Sequence, residues 1–590
     1  MNTSHPQEIR FVAASLGFLL FGWFCYFLAI EGIFYRPMIA FGALVFSVGI
    51  ARAAWLWSKT VSRTAIVAIL ASVALASLVG YLTEPTVFSG RDQGSISTAA
   101  IELANHRNTA FSTKASDAFF GIYGAGQALD FPGFFYRTDG RLTTQFPLGS
   151  IAWLGGFFSL FGLAGLNVAN GILLALSLLS IFFLIRYFQG DAFAFLGLGL
   201  AGTSFLPTWF AKFTLSENLA LFLFVFLSLN LVLFIRDGYR IAFMNVILAS
   251  GLLALTRIEG LVILGIALAF LYRSGNGKLL ARENPLRFRT FPLASLAIIL
   301  LINLSVSLPF YRTIGKALMK NLSSLGPVGS SAGHAGALVS LWGDFFSYGL
   351  APIFILGFLG VLFLAREKKW LALIPLALAS PTFLYLVDPA ITLDHPWMLR
   401  RFLPTIWPTL LITGILGLAV VFRSEGKPLR QLAIEKKILL FATVVVLFLS
   451  QAPAFSKYLL FAEDRGLAGQ IATIAASVGG SDLLLVDRMS TGDPYAMPTG
   501  PLAALSGKST AYFFNAADYT KLPTGSFDHI YLLAPSDTEN AWASSLGHGL
   551  TPVKPVLFTA STLETLPAHE TRLPELIRTT QASTLYEITP

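Results

Sequence analysis

Apolar runs close to the roughly 20 residues needed to cross a bilayer recur along most of the chain. They lie at 11–30, 38–57, 64–82, 166–185, 191–208, 217–235, 241–256, 260–272, 291–309, 348–365, 370–388, 402–422 and 438–454. Hydrophobic residues make up 55% of the sequence and charged residues 12%. A soluble protein carries about twice that charge. The pattern specifies a polytopic, mostly α-helical membrane protein of about 13 spans.

The net charge of +9 does not point to nucleic acid, because the basic residues collect in short loops between runs. Arg236 and Arg240, then Arg273, Lys278, Arg282, Arg287 and Arg289, then Arg423, Lys427 and Arg430 are such clusters. Placing them in the cytoplasm follows the positive-inside pattern. The N-terminus is then cytoplasmic and the C-terminus extracytoplasmic. A single cysteine, Cys25, excludes an internal disulfide. The apolar run from residue 11 is too long for a signal-peptide core and reads as a retained span.

This orientation constrains the ambiguous segments. As one helix, 241–272 would be about 48 Å long, more than the roughly 30 Å hydrocarbon core. It reads as two short helices with "TRIEG" at an outer turn. The segment 147–163 must not cross, and Gly and Trp153 suit it to the interface. Two terminal spans (1–63), a membrane module (64–455) with a large loop at 83–146, and a small domain (456–590) result. The loop 310–347, with the flexible run "SSLGPVGSSAGHAG", also faces outward. In the tail, "GLAGQIATIAASV" reads as an amphipathic helix, and "DLLLVD", "STAYFF", "HIYLLAP" and "STLYEI" as strands. A soluble α/β domain follows. "GPLAALSGKST" fails the phosphate-loop spacing, with six residues between its glycines instead of four.

Polar residues gather at the expected outer turns: Asp92, Lys212, Glu217, Arg257, Glu259, Asp394, His395, Arg400 and Arg401. Single cations at span ends snorkel to headgroups. Acids gain nothing from anionic headgroups, so Asp92, Glu217 and Glu259 point to a polar cavity. A carboxylate can take a proton from an attacking hydroxyl. Arginines can hold a departing phosphate through bidentate bonds. Together they fit displacement of a lipid-linked phosphate from a sugar carbon. The alternative for Asp92 is a helix cap for 94–104. Arg91 has two readings, an ion pair with Asp92 or contact with headgroups. His395 reads as a phosphate contact or a polar loop residue. No histidine or cysteine spacing indicates a metal.

"GRDQGSISTAAIELA" (90–104), "TTQFPLGSIAWLGGFFSLFG" (143–162), "AKFTLSENLALFLF" (211–224), "LLALTRIEGLVIL" (252–264) and "RRFLPTIWP" (400–408) occur in one order. In that order the chain resembles the GT-C superfamily of integral-membrane glycosyltransferases. The protein O-mannosyltransferases and aminoarabinose transferases (glycosyltransferase family 39-like) are the nearest in pattern. The resemblance covers about 64–422. It implies a polyprenyl-phosphate-sugar donor and inverting transfer to a hydroxyl of a glycan, lipid or protein in the cell envelope. It implies a catalytic role for Asp92 and donor-phosphate binding by Arg257, Arg400 and Arg401. Two departures stand out. Asp92-Gln93 replaces an acidic pair, which argues against a divalent metal. "FPLG" lacks the usual lysine, and Gln145 stands near its place. A transporter or flippase of lipid-linked saccharides, or a ligase or polymerase using them, is the alternative.

Overall fold

The computed structural model describes residues 6–284, 290–324, 341–387, 389, 391–422 and 433–589. Arg287, Arg289, Arg423, Lys427, Arg430 and positions 325–340 of the expected flexible loop lie outside the described residues.

The chain is a multi-span helical protein with a mixed α/β unit at its C-terminal end. Among the described residues, six helices are long and apolar enough to cross a membrane: Pro6–Ile30, Arg36–Ser58, Arg63–Tyr81, Ala164–Gln189, Ser216–Asp237 and Ile434–Leu459. Two sharply bent pairs, Glu259–Arg273 with Gly275–Glu283 and Leu341–Ser347 with Ala351–Arg366, raise this to eight if each is one span. Shorter apolar helices account for most of the remaining runs. Ser216–Asp237 is the central helix, with 94% of its apolar window buried, whereas Arg36–Ser58 buries 11%. The latter leaves Phe41, Leu44 and Val48 exposed, as a lipid-facing helix does.

Several expected spans are interrupted where the sequence supplies a reason. The run 370–388 is not one helix but a 3-10 turn at Trp370–Leu373, a short helix Ile374–Ala379 and a second 3-10 stretch Ser380–Leu386. Pro375 and Pro381 sit at the start of the second and third pieces, where a missing N–H is tolerated but the preceding helix cannot continue through them. The run 191–208 divides into Asp191–Gly202 and Phe205–Phe210. The run 402–422 becomes helical only at Ile406, after a 3-10 segment Trp397–Phe402. The helix that begins at Phe291 continues to Ser324, into residues assigned above to an outer loop. The run 241–272 does divide, into Arg240–Ala254 and Glu259–Arg273.

The helix Leu148–Phe161 enters and leaves at the same end of the bundle. Gly149 N donates to Leu255 O (3.0 Å) in the turn between two helices. Just past its other end, Asn167 Nδ2 donates to Thr83 O (3.1 Å), where the span Arg63–Tyr81 terminates.

That end carries both non-membrane units. Residues 83–146 hold the helix Asp92–His106 and a small antiparallel sheet: β1 (Ala110–Phe111), β2 (Gly126–Gln127), β3 (Phe134–Tyr136) and β4 (Leu142–Thr144), in the order β1-β4-β3-β2. The C-terminal sheet has β5 (Leu483–Val486), β6 (Ser509–Tyr512), β7 (Ile530–Pro535), β8 (Gly549–Leu563) and β9 (Leu576–Thr589). Their order is β6-β5-β7-β9-β8, with β5 parallel to both neighbours and the β8–β9 hairpin antiparallel. The helix Leu467–Ala475 packs its apolar side under this sheet through Leu467, Ile471 and Ile474.

The two units are joined by polar contacts, the first of them buried. Ser89 and Thr499 hydroxyls lie 2.6 Å apart, Asn105 Nδ2 donates to Ala504 O (2.9 Å), and Tyr512 N donates to Asp130 O (2.9 Å).

Candidate functional site

The helix Asp92–His106 starts where it does because two glycines permit close approach. A Cβ on Gly94 would collide with the Phe88 carbonyl, and one on Gly90 would meet the Tyr495 backbone of the C-terminal unit. The chain can therefore fold tightly before the helix and present Asp92 as its first residue. Arg91, not Asp92, occupies the N-cap position, and no side chain caps this end. Asp92 is instead engaged across space.

Asp92, Ser216, Glu217, Arg257, Glu259, Arg400 and Arg401 converge on one cavity of about 270 Å³, walled on one side by Phe146 and Pro147. The helix Ser216–Asp237 supplies Ser216 and Glu217 at its first turn. The turn between Arg240–Ala254 and Glu259–Arg273 supplies Arg257 and Glu259. The 3-10 segment Trp397–Phe402 supplies both other arginines.

Arg257 bridges two acids, with Nη1 2.8 Å from Glu217 Oε1 and Nε 2.5 Å from Glu259 Oε1. It also donates to Ser216 Oγ (3.3 Å). Arg400 Nη2 donates to Asp92 Oδ2 at 2.6 Å, and its Nε is 4.0 Å from Glu217 Oε1. Three acids and two arginines are thereby engaged. Arg401 is the remaining cation. Among the described residues it has no ion-pair partner, and its buried Nε makes no hydrogen bond. Its guanidinium lies 5.7 Å from the centre of the Tyr385 ring.

The electrostatics differ accordingly. Burial alone would lower all three arginines. The carboxylates of Glu259 and Glu217 more than offset this for Arg257, and those of Asp92 and Glu217 do so for Arg400. Arg401 is held below the usual arginine value by burial and by the nearby Arg257 and Arg400, which together outweigh the opposing pull of Glu217. A buried charge without a partner is costly. An entering anion would remove that cost and find a fork-shaped donor already in place.

The structure does not gather every residue singled out in the sequence. Arg91 neither pairs with Asp92 nor faces headgroups. Its guanidinium lies 3.8 Å from the Tyr495 ring centre and 4.4 Å from that of Trp397, and Nη2 donates to Thr565 Oγ1 (2.8 Å). Lys212 lies away from the cavity. Its Nζ donates to the carbonyls of Tyr458, Leu459 and Phe461 (3.0, 2.7 and 2.5 Å), at the end of the helix Ile434–Leu459, where a cation suits the helix dipole. His395 is buried between the Tyr348 hydroxyl (3.0 Å) and Glu570 O (2.7 Å), so it is a structural residue and not a phosphate contact. Gln145 neighbours the cavity wall at Phe146, but its backbone N–H donates to Gly133 O (2.9 Å) and it does not line the cavity.

Reading the sequence missed Ser216, which binds both Arg257 and Glu217, although it precedes Glu217 directly. It also missed Tyr385, which lies in an apolar run with no polar neighbour to mark it. Among the described residues, no group of three or more His, Cys, Asp or Glu could hold a metal ion.

No family model and no curated protein matches the chain. Among solved structures it is similar to ArnT from Cupriavidus metallidurans in the apo state, at 15% identity and a TM-score of 0.47, over 87% of this chain and 97% of that one. The same protein bound to undecaprenyl phosphate aligns at 15% identity and a TM-score of 0.45, over 88% and 98%.

Proposed function

We propose that the chain is a glycosyltransferase that moves a sugar from a polyprenyl-phosphate donor to a hydroxyl acceptor at the extracytoplasmic face. The observation that carries this reading is Arg401: a half-buried guanidinium in the same cavity as Asp92, with no ion-pair partner among the described residues and a buried Nε that makes no hydrogen bond. The donor phosphate takes the place beside Arg401, while Arg400 and Arg257 stay engaged by Asp92, Glu217 and Glu259 until the phosphate competes for them. The acceptor oxygen attacks the sugar carbon from the face opposite the phosphate. The carbon–oxygen bond to phosphate breaks, its electron pair stays with the phosphate, and the new bond forms with inversion. Asp92 takes the hydroxyl proton.

The Arg400–Asp92 contact gives this sequence an order. While Arg400 holds Asp92 Oδ2, that oxygen is engaged. A phosphate arriving beside Arg401 competes for Arg400 and frees the carboxylate as the reactants assemble. The N-terminus is cytoplasmic in this reading, and the loop 83–146 and the C-terminal domain face outward.

Mass spectrometry of lipid co-purifying with the full chain tests the proposal. A polyprenyl phosphate, with or without sugar, is expected to bind. Arg401→Ala should lose it, and Arg401→Lys should recover it only in part, because lysine lacks the planar fork. Retention of the lipid by Arg401→Ala would place the phosphate elsewhere. Transport of a lipid-linked saccharide without transfer would favour a flippase.

A further inference from the structure

A second cavity, of about 200 Å³, lies on the other side of the Asp92–Arg400 pair and shares both residues with the first. Its walls come from three parts of the chain. The helix start gives Gly90, Arg91 and Asp92, the segment before the 3-10 turn gives Thr392, Asp394 and Trp397, and the C-terminal domain gives Tyr495. Nothing in the phosphate-binding reading uses it.

Its chemistry differs from that of the donor cavity. Formal charge is balanced in both cavities, but here both guanidinium groups are already engaged, Arg400 by Asp92 and Arg91 by two aromatic rings and Thr565. No cation is left without a partner to draw an anion, as Arg401 is in the donor cavity. Donors and acceptors stand side by side, and the only aliphatic walls are Ile391 and Met398. A lipid tail would leave those polar groups unpaired, at a cost of about 1–3 kcal/mol each. The volume is below the roughly 300–1,000 Å³ of sites for drug-sized ligands. A neutral, compact ligand carrying several hydroxyls satisfies these conditions.

The walls are also preorganised. Arg91 is fixed by the rings of Trp397 and Tyr495 and by Thr565. Asp394 accepts from the Thr392 hydroxyl. Tyr495 is itself anchored, its N–H donating to Asp493 Oδ1 (2.8 Å).

We infer that this cavity is the acceptor site, that it takes a single sugar unit with a free hydroxyl turned to Asp92, and that Tyr495 of the C-terminal domain forms part of its specificity wall. The inference rests on the transferase reading but assigns a separate site and a ligand class.

Saturation-transfer-difference NMR on the full chain in nanodiscs tests it. The probes are methyl glycosides of glucose, galactose, mannose and arabinose, with undecaprenyl phosphate binding measured in parallel. At least one glycoside should bind. Tyr495→Ala and Asp394→Asn should each weaken it about fivefold or more, while leaving undecaprenyl phosphate binding intact. Tyr495 is 38% exposed, so its truncation opens no core cavity. Asp394→Asn is an isosteric second variant. Arg401→Ala should do the reverse, losing the lipid and keeping the glycoside. Glycoside binding that follows Arg401 and ignores Tyr495 and Asp394 would place the sugar in the donor cavity and overturn the assignment. Binding of undecaprenyl phosphate with no glycoside bound would overturn the ligand class and leave the transferase reading standing. Loss of both ligands from the unmodified chain would overturn both.

Discussion

Arg400 Nη2 lies 2.6 Å from Asp92 Oδ2, a contact between residues 308 positions apart in the chain. It ties the first residue of the loop helix to the 3-10 segment before a membrane helix, and it separates the two cavities. Replacing Asp92 by Asn keeps the shape and removes the charge. On the proposed transferase function, turnover should fall roughly 10²-fold or more, measured as polyprenyl phosphate released by the purified protein, while thermal unfolding changes little. A fully active Asp92→Asn enzyme would reduce Asp92 to a packing role.

Gly94→Ala should destabilise the chain even though alanine is the better helix former. The added methyl meets the Phe88 carbonyl, which is backbone and cannot swing aside. A loss of about 1–3 kcal/mol is expected, read from the midpoint of thermal unfolding in detergent. An unchanged or higher midpoint would show that the 88–94 turn relaxes freely.

Lys212→Met should act at a distance from the chemistry. The substitution keeps most of the stem and removes the ammonium that three carbonyls share. Stability should drop by roughly 1–3 kcal/mol for buried acceptors left unpaired. The expected pattern is a lower unfolding midpoint with undecaprenyl phosphate affinity unchanged. Loss of affinity at full stability would return Lys212 to the binding site.

Asp130 predicts a pH dependence. Its carboxyl is buried at the contact between loop and C-terminal domain, and burial, with Asp518 nearby, pushes it up to about 8. An unfolded aspartate titrates near ~3.9. Between these values the folded state holds a proton that the unfolded chain has lost. This contribution to stability is fully present below the unfolded value and declines as pH rises through about 8. Asp130→Asn, which mimics the protonated acid, should flatten the decline and melt higher than the unmodified chain at pH 9. Parallel stability curves for the two proteins would contradict this.

Orientation is checked by labelling. After Cys25→Ala, cysteines at Thr138 and Ser526 should react with a membrane-impermeant thiol reagent in intact cells, and one at Lys278 should not. All three positions are exposed in the fold. Labelling of position 278 from outside would invert the topology and remove the extracytoplasmic assignment of the cavity.

The cavity was legible because charge is scarce in this chain. A glutamate at the start of an apolar helix has few reasons to be there, so Glu217 and Glu259 marked their turns, and Arg257 and Arg400 were found beside them. Asp92 was legible from the same logic. The outer cations were harder, since a lysine that snorkels, caps a helix or binds a ligand looks the same in sequence. Lys212 proved to be a cap. Arg91 was misread because its partners, Tyr495 and Thr565, belong to a domain hundreds of residues away. In the C-terminal sheet the parallel strands β5, β6 and β7 were plain as short apolar runs, whereas β8 was missed. Pro552 and Pro555 interrupt it, which argues against a strand in isolation. It is an edge strand with a register shift between Pro552 and Lys554, where missing donors cost little. The breaks at Pro375 and Pro381 were visible, but hydropathy alone outweighed them.

Arg91 and Asp92 are joined by one planar peptide bond. The first is gripped by the C-terminal domain through Tyr495 and Thr565, and the second is held by Arg400 of the bundle. Rocking of the domain on its seat would therefore act as a lever on the carboxylate, with a single residue as the arm. Alignment of Asp92 becomes a property of how firmly two folded bodies sit together. On the proposed transferase function, a substitution that loosens that seat slows transfer while every group in the cavity remains intact.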